Sequence, residues 1–333
     1  MKTLAQITIT VHLLLTSFLP LSAAGGEETS PPGSSNSAAC DGKLDILLSN
    51  DDGFDKPGII ALQQALSQAE HHVVLAAPAK NASGSSASIT FAPVAVEQVA
   101  ANTYAISASP ASSVVLAVSA LYPPDSPPDL VISGINKGAN LGPATGISGT
   151  VGATTAAIKV IDPPIPAIAI STDPLDANFS EEENTRHLQR ISAFITNLVG
   201  RLTQERCSSG LLLPQGLALN INYPPLPTAE IKGIVMREQG QAPYFKISYK
   251  LSKDDANVYL PVFKAQTVEN DIAHSDTLAY HQGYITIVPL DGDYTSRNLA
   301  AHTLIEPLIL QLKLELKALG VLQLSNSSGR SVE

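Results

Sequence analysis

The sequence predicts an α/β protein built on a doubly wound, mostly parallel sheet. Two observations lead to this. Short, β-branched apolar runs alternate with amphipathic stretches from Leu44 to Tyr223, which is the rhythm of repeated βαβ units. The runs are apolar almost throughout, as strands covered on both faces must be.

The runs read as strands are "LDILLS" (44–49), "HVVLAAP" (72–78), "DLVISG" (129–134), "IPAIAIS" (165–171) and "LALNINY" (217–223). Helices are expected between them. Residues 58–69 place Ile59, Leu62 and Leu66 on one face, and 184–202 carry Leu188, Ile191, Ile195, Leu198 and Leu202 at helical spacing. Residues 112–121 and 150–161 are small and apolar, suited to close packing on a sheet. After Tyr223 the chain turns aromatic and β-branched, so 231–263 reads as extended chain and hairpins. "YITIVPL" (284–290) is a further strand, and 300–319 a Leu-rich helix that Pro307 kinks or divides.

Both ends differ from this body. "MKTLAQITITVHLLLTSFLPLSAA" reads as a secretory signal, with Lys2 before an apolar stretch and small residues around a cleavage point after Ala24. A membrane anchor is the competing reading, but the apolar run is short for a span. Residues 25–40 are polar and rich in Pro, Ser and Gly, the composition of a flexible leader, and 321–333 reads as a disordered tail. The expectation is a secreted protein with no membrane association once the signal is removed. Cys40 and Cys207 are the two cysteines. In an oxidising compartment they could pair, or both could remain thiols.

The chain has 333 residues, 44% hydrophobic and 15% charged, with a net charge of −10. That balance supports a sizeable core and argues against binding a nucleic-acid polymer through a basic surface. A small anionic substrate is still compatible, because a metal ion or a helix N-terminus can supply local positive potential.

The chemistry collects where strands end, the place open parallel sheets use for ligands. "LLSNDDG" brings Asn50, Asp51, Asp52 and Gly53; "APAKNASGSS" brings Asn81 and Ser83; "VISGINKGANLG" brings Asn136 and Asn140; "ISGTVGATT" brings Ser148, Gly149 and Thr150. These side chains are oxygen donors, suited to Mg²⁺, Mn²⁺ or Ca²⁺ rather than zinc or copper. A divalent ion would neutralise the adjacent carboxylates of Asp51 and Asp52, which otherwise repel. The alternative is that one of them caps the following helix. Ser148–Thr150 would open a helix whose N–H groups could bind phosphate, or Ser148 could simply cap it. The chain has no Walker A motif, GxGxxG, HExxH or GxSxG.

In order and spacing, "ILLSNDDGFDKPG", "APAKNASGSSASIT", "DLVISGINKGANLG" and "SGTVGAT" resemble the signature segments of the SurE (survival protein E) family. "LALNINYPPLPTAEIKGI" and "SDTLAYHQGYITIVPLDGDYT" resemble later segments of that family, so the likeness covers residues 44–295. The resemblance implies a Rossmann-like, three-layer α/β/α core over about 41–230 and 280–300. A C-terminal β-hairpin arm over 231–279 would exchange elements between protomers, and a terminal helix would cover 300–320. It implies metal-dependent hydrolysis of phosphate monoesters such as nucleoside monophosphates by a homodimer or homotetramer, of 5′(3′)-nucleotidase or acid phosphatase type. Carried over by motif, Asp51, Asp52, Ser83 and Asn136 would hold Mg²⁺ or Mn²⁺, with Ca²⁺ able to bind in their place. Asp51, Asp52 and Asn140 would be catalytic, and Ser148, Gly149 and Thr150 would bind the phosphate.

Two segments depart from the family pattern: "ASPASSV" (108–114), and Pro143–Ile147 ahead of "SGTV". Both lie toward the expected substrate side, and they leave open a secreted, non-catalytic binding protein that retains the metal site. With its signal, the chain is similar to secreted, fungal-type acid phosphatases of the family. Sequons at Asn81, Asn178 and Asn326 mark possible glycans. A sugar at Asn81 would crowd Ser83, so Asn81 is expected to stay bare.

Overall fold

The computed structural model describes residues 42–175, 180–255, 257–295 and 299–318. The expected signal, leader and tail, together with Cys40, Asn178 and Asn326, lie outside these residues. Cys207 is disulfide-bonded rather than a free thiol.

The first crossover runs from β1 (Asp45–Ser49) through α1 (Pro57–Gln68) to β2 (His72–Pro78). An edge hairpin follows, β3 (Val96–Ala100) and β4 (Thr103–Ile106), and then α2 (Pro110–Leu116), which ends in a π-helical turn over Ala117–Leu121. Next come β5 (Leu130–Lys137), α3 (Gly149–Lys159), β6 (Ala167–Thr172), α4 (Glu181–Ser209) and β7 (Ala218–Asn222). The C-terminal part holds β8 (Gly233–Met236), the hairpin β9 (Phe245–Leu251) and β10 (Tyr259–Ala265), α5 (Asp276–His281), β11 (Tyr284–Leu290) and α6 (Leu299–Ala318).

Nine strands form one sheet in the order β3-β4-β2-β1-β5-β6-β7-β11-β8. All its pairings are parallel except β3 with β4 and β7 with β11. Two cores sandwich it. On one face Ile59, Leu62 and Leu66 of α1 and Ile191, Ile195 and Val199 of α4 meet Ile46, Leu48, Ile132 and Ile170. On the other, Val114 of α2 and Ala153, Ala157 and Ile158 of α3 cover Leu47, Val74 and Val131. This is the doubly wound arrangement expected from the alternation of apolar runs, in the three layers that the family resemblance implies.

The C-terminal segment divides. Residues 233–236 join the main sheet beside β11, whereas 245–265 form a separate two-stranded sheet. That hairpin presents Tyr249, Tyr259 and Phe263, each more than 60% exposed. Helix α6 runs through Pro307 and exposes Leu304, Leu310 and Leu314. Among the described residues no helix is long and apolar enough to cross a membrane.

Candidate active site

The strand order reverses direction at β1, with β2 on one side and β5 on the other. Open α/β sheets leave a crevice at such a point, beyond the C-terminal ends of the strands. Asp51 and Asp52 follow β1 directly, and Asn136 lies near the end of β5.

The turn after β1 is held by its own residues. Asn50 Nδ2 donates to the Gly53 carbonyl at 2.8 Å, and the Gly53 N–H donates to Asn50 Oδ1 at 3.1 Å. Gly53 has φ +129°, a conformation that side chains disfavour. Neither aspartate caps α1: its N-cap is Lys56, with no side-chain cap bond, and Pro57 starts the helix. This removes the capping alternative for the Asp pair.

Instead, Asp51 meets a different helix. Thr150 Oγ1 donates to Asp51 Oδ1 at 2.6 Å, and the backbone N–H groups of Gly149 and Thr150 bond the same carboxylate. A Cβ on Gly149 would lie 2.8 Å from Asp51 Cβ and 2.9 Å from Oδ2, so the positive end of α3 presses against the acid. Ser148 caps α3 by accepting from the Val151 N–H at 3.1 Å. The Ala82 N–H donates to the Asp51 carbonyl at 2.7 Å, which brings the loop carrying Ser83 alongside. Ser83 itself is exposed at the rim, its N–H donating to Asn81 Oδ1 at 3.1 Å.

Asp52 Oδ2 accepts from the Lys137 N–H at 2.9 Å, tying the β1 and β5 loops together. Asn136 Nδ2 donates to the Gly138 carbonyl at 2.6 Å, which leaves Oδ1 available to a ligand. Burial pushes the Asp51 carboxyl above the usual carboxylate range, against the hydrogen bonds from Thr150 and the helix N-terminus. Burial also pushes Asp52 up and the neighbouring Asp51 charge adds to this, while the Lys137 N–H and the Lys137 and Lys56 charges oppose it. Among the described residues neither acid forms an ion pair.

These features fit a hard dication. A buried and a half-buried carboxylate lie side by side with the Asn136 amide oxygen open to a ligand on the neighbouring strand, and positive charge there would offset the desolvation; the Ser83 hydroxyl lies at the exposed rim. Among the described residues no three His, Cys, Asp or Glu side chains gather as a metal site. Any ion therefore relies on neutral oxygens beside the Asp pair.

Asn140 sits deeper. Its Nδ2 donates to Ser171 Oγ at 2.8 Å, its N–H to Asn222 Oδ1 at 2.7 Å, and its carbonyl accepts from Asn220 Nδ2 at 2.8 Å. Its neighbours in the loop are anchored as firmly. The Ala139 N–H donates to Asp173 Oδ1 at 2.9 Å, and its carbonyl accepts from the Tyr244 hydroxyl. The Gly142 N–H reaches the buried Asp276 carboxylate at 3.2 Å. Sequence reasoning did not single out Asp173, Asn220, Asn222, Tyr244, Asp276 or Tyr280. The first five hold the loop through its backbone, and Tyr280 steadies Asp173 by donating to its Oδ2 at 3.0 Å, roles without a motif of their own.

Beside Asp52 opens a cleft of about 710 Å³, lined by Lys56, Asn81, Asn136, Lys137, Asp173 and His187 among others. His187 was also unassigned. Its Nε2 lies 2.9 Å from Thr172 Oγ1, and burial, reinforced by the Arg190 charge, lowers its pKa to about 4.

Residues 46–246 match the family described as Survival protein SurE. The chain is 32% identical over 252 residues to the 5′-nucleotidase SurE 1 of Burkholderia lata, covering 75% of this chain and 91% of that relative. It is 34% identical over 256 residues to the 5′-nucleotidase SurE of Syntrophobacter fumaroxidans, covering 75% and 94%. The crystal structure of the SurE protein from Aquifex aeolicus superposes with a TM-score of 0.60 at 29% identity, covering 78% of this chain and 99% of that one. With the matched span containing every oxygen donor of the crevice, this chain belongs to the survival protein SurE family.

Proposed function

We propose that this protein hydrolyses phosphate monoesters with a divalent metal ion held by Asp51, Asp52, Ser83 and Asn136. The observation that carries the reading is the pair of adjacent acids at the strand-order reversal, Asp51 buried and Asp52 half-buried, neither ion-paired among the described residues. The names of the relatives, 5′-nucleotidase SurE, support nucleoside monophosphates as the substrate class.

When bound, the ion would polarise the phosphoryl oxygens and acidify a water. The chain's own groups set the stage for it. Thr150 and the N-terminus of α3 hold the Asp51 carboxylate in orientation, and the Lys137 N–H does the same for Asp52. Lys56 and Lys137, at the mouth of the cleft, favour the negative phosphoryl group. In this reading Ser148, Gly149 and Thr150 contribute the helix field to the phosphate, and Asn140 fixes the loop that faces it.

The remaining features complete the proposal. The fold acts as one phosphatase domain over 41–320. The signal over residues 1–24 directs it outside the cell, as in fungal-type secreted acid phosphatases. The exposed apolar hairpin and α6 mediate a homodimer or homotetramer. Asn81, lining the cleft, stays unglycosylated; glycopeptide mapping of active protein that finds a sugar there would contradict this.

The functional test is release of phosphate from p-nitrophenyl phosphate and a nucleoside monophosphate panel, before and after EDTA and after re-addition of Mg²⁺ or Mn²⁺. Turnover that vanishes with EDTA and returns with metal is expected. Absence of turnover under all conditions would contradict the reading.

A further inference from the structure

We propose that a pocket bearing Arg186 and Arg190, at the far side of the cleft from Asp52, holds a second phosphate on the leaving group, so that bisphosphorylated monoesters are preferred substrates. This deepens the phosphate-monoester reading and rests on it.

The pocket measures about 210 Å³ and is lined by Leu175, Glu183, Arg186, Arg190, Pro227 and Thr228. It is below the ~300 Å³ at which pockets begin to hold whole drug-sized ligands, and so suits a single group. Leu175 also lines the cleft beside Asp52, so the two hollows adjoin. His187, in the cleft lining, links the two: its Nε2 lies 2.9 Å from Thr172 Oγ1, and its Nδ1 lies 3.5 Å from Nη2 of the pocket's Arg190.

Of the two guanidinium groups, that of Arg190 lacks an acidic counterpart among the described residues. Arg190 forms no ion pair among the described residues, and its Nε is buried without a hydrogen-bond partner. Arg186 pairs with Glu182 on the exposed side of α4, at 2.6 Å. The acid in the pocket wall, Glu183, accepts from the Ser180 N–H at 2.7 Å and its hydroxyl at 2.8 Å, and its charge acts on Arg186 rather than Arg190. Leaving a guanidinium partly desolvated and unpaired is unfavourable, and its planar fork matches phosphate oxygens.

Geometry sets a length for the ligand. Lys137 and Thr172 are register partners on adjacent strands, and His187 and Arg190 are three residues apart on α4. One strand spacing of about 4.8 Å and most of a helical turn of about 5.4 Å, with the side chains between, separate the two phosphate positions by roughly 10–15 Å.

Alkanediol bisphosphates of increasing chain length, each compared with its monophosphate, measure that span. In the wild type, the ratio of KM for the monophosphate to KM for the bisphosphate is expected to rise at least tenfold at one length and fall on either side. In Arg190→Gln the ratio should drop to near one at every length. Should Arg190→Gln not fold, Arg190→Lys and Arg186→Gln supply the comparison, each lowering the ratio. A second readout omits turnover: inorganic phosphate titrated into EDTA-treated protein is expected to raise the Tm of the wild type more than that of the variants. A ratio near one at all lengths in the wild type, a ratio unchanged by the variants, or equal protection of wild type and variants by phosphate would overturn the proposal. Failure of the wild type to hydrolyse even p-nitrophenyl phosphate would instead remove the phosphatase reading, while the phosphate titration would still report on the pocket.

Discussion

Asp51 and Asp52 are adjacent but are held by different parts of the fold. Asp51 is 3% exposed and receives Thr150 and the positive end of α3; Asp52 is half-buried and bonded to the β5 loop. Asp51→Asn or Asp52→Asn is expected to lower phosphatase turnover by at least a hundredfold, with the fold retained by circular dichroism. Thr150→Val removes only the orienting hydroxyl, so a loss of about 1–3 kcal/mol of transition-state stabilisation is expected, read as kcat/KM. His187 gives a pH test. Its folded pKa of about 4 lies below the unfolded 6.5, so folding favours the neutral ring. Its contribution to stability is present above the unfolded value and is lost as pH falls from about 6.5 to 4, at up to about 1.4 kcal/mol per pH unit. Denaturant melts across that range should show a shallower acid-side loss in His187→Gln than in wild type; identical slopes would mean the ring titrates normally. The Asp pair was legible from sequence because two adjacent acids after an apolar strand demand an explanation. The Asn140 environment was not, because Asn220, Asn222 and Ser171 look like ordinary strand residues until the register places them beneath one loop.

The elements were legible where they are apolar and periodic. Helices α1, α3 and α4 and strands β1, β2, β5, β6, β7 and β11 lie where the pattern put them, to within a few residues at most ends. Helix α4 runs seven residues beyond the expected 202, because the chain continues helical to Ser209 before Gly210 turns at φ +81°. The β3–β4 hairpin was not foreseen: β3 is exposed at every position and carries no core-facing alternation. The sequence places 231–279 in a single arm, whereas Gly233–Met236 pair with β11 through contacts too distant in sequence to see. Helix α3 approaches its neighbours closely enough to test. A Cβ on Gly152 would lie 1.9 Å from the Ser86 carbonyl oxygen, so Gly152→Ala must part the Ser83 loop from α3. A loss of about 1–3 kcal/mol is expected in denaturant melts, together with weaker metal affinity. Stability and affinity equal to wild type would show that the loop does not depend on this contact.

At the scale of the molecule, the sheet covers itself with helices while the hairpin and α6 leave their apolar side chains outside. Tyr259, Phe263 and Leu304 are each more than 60% exposed, an arrangement that suits contact with a second copy of the chain. Light scattering on the intact chain should give a dimer or tetramer, and deletion of residues 245–265 should lower the assembly state; a monomer in both cases would remove this role. Activity at this crevice depends on a cation between its two acids. Calorimetric titration of Mn²⁺ into metal-stripped protein tests it most directly. Saturable binding of one ion per chain is expected, lost in both Asp51→Asn and Asp52→Asn. Folded wild-type protein that binds no ion, or binds it equally well in those variants, would contradict it.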